Sequence, residues 1–207
     1  MAKEVRVPVI GPGKILRPEM ANDAIAEGKV TAVAIGRTLL ADPQWVNKAA
    51  AGKPEDILPC IGCNAGCIGR IFAGQTMLCA VNADLFHEAE QALIPAGAPR
   101  KIAVIGGEIG GMEAARIAAK RGHHVPIYEK DTQLGGTTLA ANVPDYKDAS
   151  RRLLTWYKKE IRESGVKVEL NRDLSAEDLK KLDADAVVVS TGASAKIPSG
   201  YPSFQCG

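Results

Sequence analysis

Four of the chain's five cysteines stand within twenty residues. Cys60, Cys63, Cys67 and Cys79 are spaced C-x2-C-x3-C-x11-C in PCIGCNAGCIGRIFAGQTMLCAVN, and Cys206 lies apart. Three thiolates this close can cap one face of a cubane iron–sulfur core, and a fourth from farther along can close it. Structural zinc usually takes two separated C-x2-C pairs, and only the first pair has that form here. Inert thiols or disulfides are the third reading, and crowding of this kind argues against them. No N-terminal run resembles a secretion signal and no apolar stretch is long enough to span a bilayer. The expectation is therefore a cytoplasmic chain, where clustered cysteines bind metal or carry redox chemistry. Gly62, Gly66 and Gly69 would let the backbone turn tightly around an inorganic core.

A second constellation is VIGGEIGGMEAA, between an apolar strand pattern and a helical one. Gly106, Gly107 and Gly111 are candidate nucleotide-binding residues. The amides that open such a helix face a pyrophosphate, and an acidic residue ending the next strand accepts from ribose hydroxyls. Glu129 has that place, followed by Lys130. The middle glycine of the G-x-G-x-x-G pattern is missing, because position 108 is Glu108. A carboxylate there adds bulk and negative charge where backbone would touch the pyrophosphate. Two readings stay open: a shifted approach through Gly107 and Gly110, or a Rossmann-like layer that no longer binds its nucleotide. Glu108→Gly is expected to strengthen FAD or ADP binding, a gain that vanishes if Gly107 has taken over the close approach.

The elements around these residues fall into three segments. Residues 1–50 read as strand, helix, strand, helix, with a buried strand over residues 5–10 broken by Gly11, Pro12 and Gly13. A helix opens at Pro18 and ends at Gly28, a strand covers residues 31–36, and a helix starts in DPQWVNKAAAG. This is the grammar of a parallel α/β layer. Residues 51–99 are loop-rich, hold the cysteines and end in the linker IPAGAPR. Residues 100–207 alternate again: strand 101–105, helix 111–121, strand in HHVPIYEK, an amphipathic helix over 148–164 carrying Leu153, Leu154, Tyr157 and Ile161, then strands in VKVEL and DAVVVSTGA.

Composition limits the partners. The 207 residues carry a net charge of +2 and only 4% aromatics, with 46% apolar residues. Nucleic-acid and acidic-membrane binding are not indicated, and a real core is. His87, His123 and His124 fit no catalytic pattern.

Taken in order, IGRTLLADP, PCIGCNAGC, CAVNA, the glycine turn and QLGG resemble the iron–sulfur flavoenzymes related to Old Yellow Enzyme: 2,4-dienoyl-CoA reductase, 2-enoate reductase and trimethylamine dehydrogenase. The likeness covers nearly the whole chain. It implies an α/β fold made of the last two βα units of a (β/α)8 barrel, a cluster-binding linker and an incomplete Rossmann-like FAD/NAD(P)-binding domain. It assigns Gly13, Lys14, Gly36 and Arg37 to an FMN phosphate, the four cysteines to a [4Fe–4S] cluster, and Gly106, Gly107, Gly111, Glu129, Lys130, Gly136, Thr191 and Gly192 to FAD. In such enzymes NAD(P)H reduces FAD, the cluster relays electrons to FMN, and an enoate or enoyl thioester is reduced. Departures from the pattern are Glu108, Gly110 and Ala83. Only two of eight barrel strands are recognisable and no catalytic proton donor can be assigned. The expectation is thus a fragment, completed by a missing barrel segment or by homo-oligomers. The competing reading is a non-catalytic remnant that is a nucleotide-binding module only.

Overall fold

The first segment is a β–α–β unit. β1 (Ile10–Pro12) pairs in parallel with β2 (Ala32–Ala34), with Ile10 opposite Ala32 and Pro12 opposite Ala34. Between them runs α1 (Pro18–Ala26), with Pro18 and Glu19 in its first turn, and the chain leaves it through Gly28 at φ +69°. These observations come from a computed structural model that describes residue 2 and residues 4–90 and 92–193. Cys206 and the end of the third segment lie outside the described residues.

β1 differs from the sequence expectation. Pairing starts only at Val9, whose amide donates to Thr31 Oγ1 and whose carbonyl accepts from the Thr31 amide. Pro8 has no amide to donate. Val5, Val7 and Ile10 are exposed rather than buried, because a two-stranded sheet has little to cover them. Gly11 and Pro12, expected to break the strand, belong to it. Gly11 is small because Val30 crosses beside it: a Cβ would stand 2.4 Å from Val30 Cγ1. β2 is likewise shorter than expected, and a short helix, α2 (Arg37–Ala41), follows at once. Five residues are too few to show a helical period in sequence. Next come α3 (Trp45–Ala50) and, within the cysteine segment, α4 (Ile68–Phe72).

The third segment is a four-stranded parallel sheet. Its elements are β3 (Ile102–Ile105), α5 (Ile109–Lys120), β4 (Pro126–Tyr128), α6 (Thr137–Ala141), α7 (Asp148–Glu163), β5 (Lys167–Glu169), α8 (Ala176–Leu179) and β6 (Ala186–Val189). The strand order is β5-β4-β3-β6. The chain thus steps from β3 outward to β4 and β5, then returns to the other side of β3. Ligands of open α/β sheets bind beyond the carboxyl ends of the strands at such a reversal. The two loops that flank it here follow β3 and β6.

The core lies between this sheet and two helices. α7 buries Leu153, Leu154, Trp156, Tyr157 and Ile161 on one face, the spacing expected of an amphipathic helix. They meet Met112 and Ala115 of α5 and Val104 and Ile127 of the sheet. The cysteine segment docks on the same core through Leu58, Ile61 and Val81. Trp156 Nε1 donates to the Asp56 carbonyl at 3.2 Å, and Lys159 pairs with the Asp56 carboxylate. Among the described residues no helix is long and apolar enough to cross a membrane.

Candidate functional site

Two sites take shape on this frame. The first is a small cavity lined by all four clustered cysteines, together with Arg37 and the apolar Leu40, Ile61 and Val81. Cys60 is buried, Cys67 and Cys79 are half-buried, and Cys63 is exposed; all four are free thiols. Among the described residues no three His, Cys, Asp or Glu side chains converge on a single-ion position. Four thiols around one cavity are a donor set that could hold a core of several irons. Cys60 Sγ accepts from the Gly62 amide at 3.4 Å, with Gly62 at φ +67°. Burial pushes the Cys60 thiol above its ordinary pKa, while that amide and the Arg37 charge oppose the rise.

Cys79, distant in sequence, reaches the cavity by a backbone contact. Leu78 donates its amide to the Gly66 carbonyl at 2.8 Å. The approach is so close that a Cβ on Gly66 would lie 2.5 Å from the Leu78 carbonyl oxygen. Asn64, at φ +59°, turns the chain between Cys63 and Cys67, and its carbonyl accepts from the Gly69 amide.

The entry to Cys60 is set by Asp42, which is 4% exposed. Its carboxylate accepts from the Gln44 amide at 2.9 Å, the Leu58 amide at 2.8 Å and Lys48 Nζ at 2.7 Å. Lys48 also reaches the Asp56 carbonyl. One side chain thus ties the end of α2 to the backbone two residues before Cys60. Asp42→Ala would leave the Gln44 and Leu58 amides without this acceptor and Lys48 Nζ with only the Asp56 carbonyl. A loss of about 2–3 kcal/mol in unfolding free energy is expected, read from the midpoint of a denaturant titration.

The predicted FMN-phosphate residues sit where the strand register puts them. Gly13 follows Pro12 and Gly36 follows β2, so both lie at the carboxyl end of the first sheet. Gly13 has φ +140° and Lys14 φ +48°. Thr38 Oγ1 donates to the Ile15 carbonyl at 2.8 Å and ties the two loops together. Arg37 turns toward the cysteines, where its guanidinium donates to Asn64 Oδ1. It therefore stands between the carboxyl end of the first sheet and the cysteine cavity.

The second site is a cleft of about 550 Å³ at the strand reversal, lined by the glycine turn, Glu129, Lys130, Gly136, Thr191 and Gly192. Gly106, at φ +102°, donates to the Tyr128 carbonyl. Glu129 is buried, and its carboxylate accepts from the Gly107 amide at 2.6 Å and the Asp131 amide at 2.9 Å. Expected at a ribose, Glu129 also braces the turn; each oxygen keeps a second acceptor site. Gly111 is buried in the first turn of α5, behind the cleft wall.

Glu108 is the N-cap residue of α5 and reaches across the cleft. Its Oε1 accepts from Thr137 Oγ1 at 2.6 Å, Thr138 Oγ1 at 2.8 Å and the Thr138 amide at 3.0 Å. Burial works against its charge, but these Thr137 and Thr138 donors outweigh it and hold the carboxyl below the usual carboxylate range. Asp42, Asn64, Thr137 and Thr138 were not among the residues marked from sequence. Asp42 alone has a local signal, an Asx-type turn to Gln44.

Comparison with known proteins agrees with this geometry. Residues 100–206 match the family model of pyridine nucleotide-disulphide oxidoreductases, and residues 1–56 that of the NADH:flavin oxidoreductase / NADH oxidase family. The chain is 42% identical to a cinnamate reductase of Clostridium sporogenes, over 94% of this chain and 29% of that protein. It is 40% identical to an NADH oxidase of Thermoanaerobacter brockii, over 95% of this chain and 30% of that one. A solved 2-naphthoyl-CoA reductase in complex with 2-naphthoyl-CoA superposes with a TM-score of 0.88 at 32% identity, covering 95% of this chain and 30% of that chain. The chain thus spans about 30% of the length of these relatives.

Proposed function

The chain belongs to the pyridine nucleotide-disulphide oxidoreductase family through residues 100–206, joined to an NADH:flavin oxidoreductase segment, and from that premise we propose that it is the electron-relay portion of an NAD(P)H-dependent flavin and iron–sulfur oxidoreductase. The observation that carries this reading is the cysteine cavity, lined by Arg37 and Leu40 of the first segment and by the cysteine linker, whose Ile61 and Val81 also pack on the core of the third segment. When bound, a [4Fe–4S] cluster supplies one-electron transfer and the flavins supply the exchange between hydride and single electrons.

The chain's own residues provide the holding and the separation. Cys60, Cys63, Cys67 and Cys79 would hold the cluster, and the Gly62 amide favours the Cys60 thiolate. The apolar lining of the cavity limits water near the core. Gly13, Lys14, Gly36 and Arg37 would meet an FMN phosphate. Gly106, Gly107, Gly111, Glu129, Lys130, Gly136, Thr191 and Gly192 would frame the nucleoside end of FAD, and Glu108, standing at the place of its pyrophosphate, does not fit that part of the ligand. The substrate class drawn from the cinnamate and 2-naphthoyl-CoA reductases is an unsaturated acid or its thioester.

Anaerobic reconstitution with ferrous iron and sulfide tests this. About four irons and four acid-labile sulfides per chain are expected, with brown colour. Bound zinc without labile sulfide would overturn the reading.

A further inference from the structure

Glu108 stands where backbone should approach a pyrophosphate, yet its carboxylate is held rather than repelled. Three donors of Thr137 and Thr138 converge on one oxygen, Oε1. The other oxygen lies against Gly136, whose Cβ, if present, would be 2.9 Å from it, and Gly192 is the next neighbour on the far wall. The carboxylate therefore bridges the glycine turn to the two glycines opposite. These donors are the kind a phosphate oxygen would otherwise accept. The rest of the cleft, around Glu129, Lys130 and Arg172, is left open.

We propose that Glu108 is a ligand-selecting residue: its carboxylate fills the pyrophosphate position, so that the cleft of this chain takes a nucleoside and discriminates against a dinucleotide. The inference rests on the nucleotide-binding reading of residues 100–193. A pyrophosphate entering the cleft must displace a carboxylate from three hydrogen bonds, or lie beside it in a partly desolvated site. Both oppose a doubly negative ligand and leave an uncharged nucleoside untouched. Glu108→Gln is the informative variant. Its amide oxygen can still accept from Thr137 and Thr138, so the loop keeps its anchor while the charge is removed.

Calorimetric titration of the full 207-residue chain with adenosine, ADP and FAD decides the matter. The unmodified chain should bind ADP no tighter than adenosine. Glu108→Gln should bind ADP and FAD about tenfold tighter or more, a gain of about 1.4 kcal/mol for each factor of ten, with adenosine affinity unchanged. Glu108→Gly, which removes side chain and charge together, should gain at least as much. A gain in the Gly chain alone would support the proposal, with the bulk of the side chain as the cause. Equal ADP-to-adenosine ratios in the unmodified, Gln and Gly chains would overturn the proposal while leaving the nucleotide cleft standing. So would an unmodified chain that already prefers ADP tenfold. Failure of all three ligands with all three chains, each folded by circular dichroism, would overturn the nucleotide reading beneath it as well.

Discussion

Gly66→Ala is expected to abolish retention of iron and acid-labile sulfide after anaerobic reconstitution. The added Cβ would meet the Leu78 carbonyl oxygen at 2.5 Å, its carbon at 2.9 Å and the Cys79 amide nitrogen at 3.2 Å. All three are backbone atoms, so no rotamer change relieves the clash. The two strands of loop must part, and the Leu78-to-Gly66 hydrogen bond at 2.8 Å goes with them. Cys67 and Cys79 then separate, and a site that needs four thiolates has at most three in place. The cysteine segment meets the Rossmann-like core through Leu58, Ile61 and Val81 rather than through Gly66 or Leu78, so melting should stay cooperative. Gly74→Ala is the matched control. It has open space at its Cβ but φ +66°, which costs about 1 kcal/mol of backbone strain at a residue outside the cavity lining. Iron and sulfide contents of the two variants, measured side by side, separate the explanations. Full cluster content in Gly66→Ala would show that the loop contact does not position Cys79.

What could be read from sequence, and what could not, follows the range over which each feature is decided. α1 and α7 were legible because their signals are local: Pro18 and Gly28 bound the first, and Leu153, Leu154, Tyr157 and Ile161 mark the face of the second. The strand–turn–helix around Gly106 was legible for the same reason, and Glu129 was legible from its distance along the chain. β1 was not, because whether Val5 and Val7 are buried depends on neighbours that an apolar run does not reveal. α2 was too short to show a period. The cysteine spacing pointed to a shared site, but its assembly depends on contacts across sequence: Gly66 to Leu78, Asp42 to Leu58, and Arg37 to Asn64. Glu108 was marked as a defect in the glycine pattern, yet its partners are 29 and 30 residues away. Only the fold turns a misplaced carboxylate into a bound one.

Gly111 and Gly110 are adjacent in α5, and alanine at each is expected to move stability in opposite directions. At Gly111 a Cβ would stand 1.9 Å from the Gly106 carbonyl oxygen and 2.6 Å from Ser190 Oγ. Ser190 Oγ itself donates to the Ile105 and Gly106 carbonyls at 2.9 and 3.0 Å. The methyl would therefore enter a knot of backbone joining the end of β3, the glycine turn and the end of β6. Gly106 cannot give way, because its own Cβ position is already 2.3 Å from the Ser190 carbonyl oxygen. α5 must shift off the sheet, and Met112 and Ala115, both fully buried against the core, shift with it. Overpacking of this kind costs about 1–3 kcal/mol and more when backbone has to move, so about 3 kcal/mol is expected. At Gly110 nothing lies within 4 Å of the Cβ position. There alanine only removes backbone freedom from the unfolded chain within a helical segment, and a gain of about 0.5–1 kcal/mol is expected. Thermal and denaturant unfolding of the two single variants checks both signs. A Gly111→Ala chain as stable as the parent would show that α5 does not pack on the glycine turn as closely as described, and the cleft wall built on that contact would fall with it.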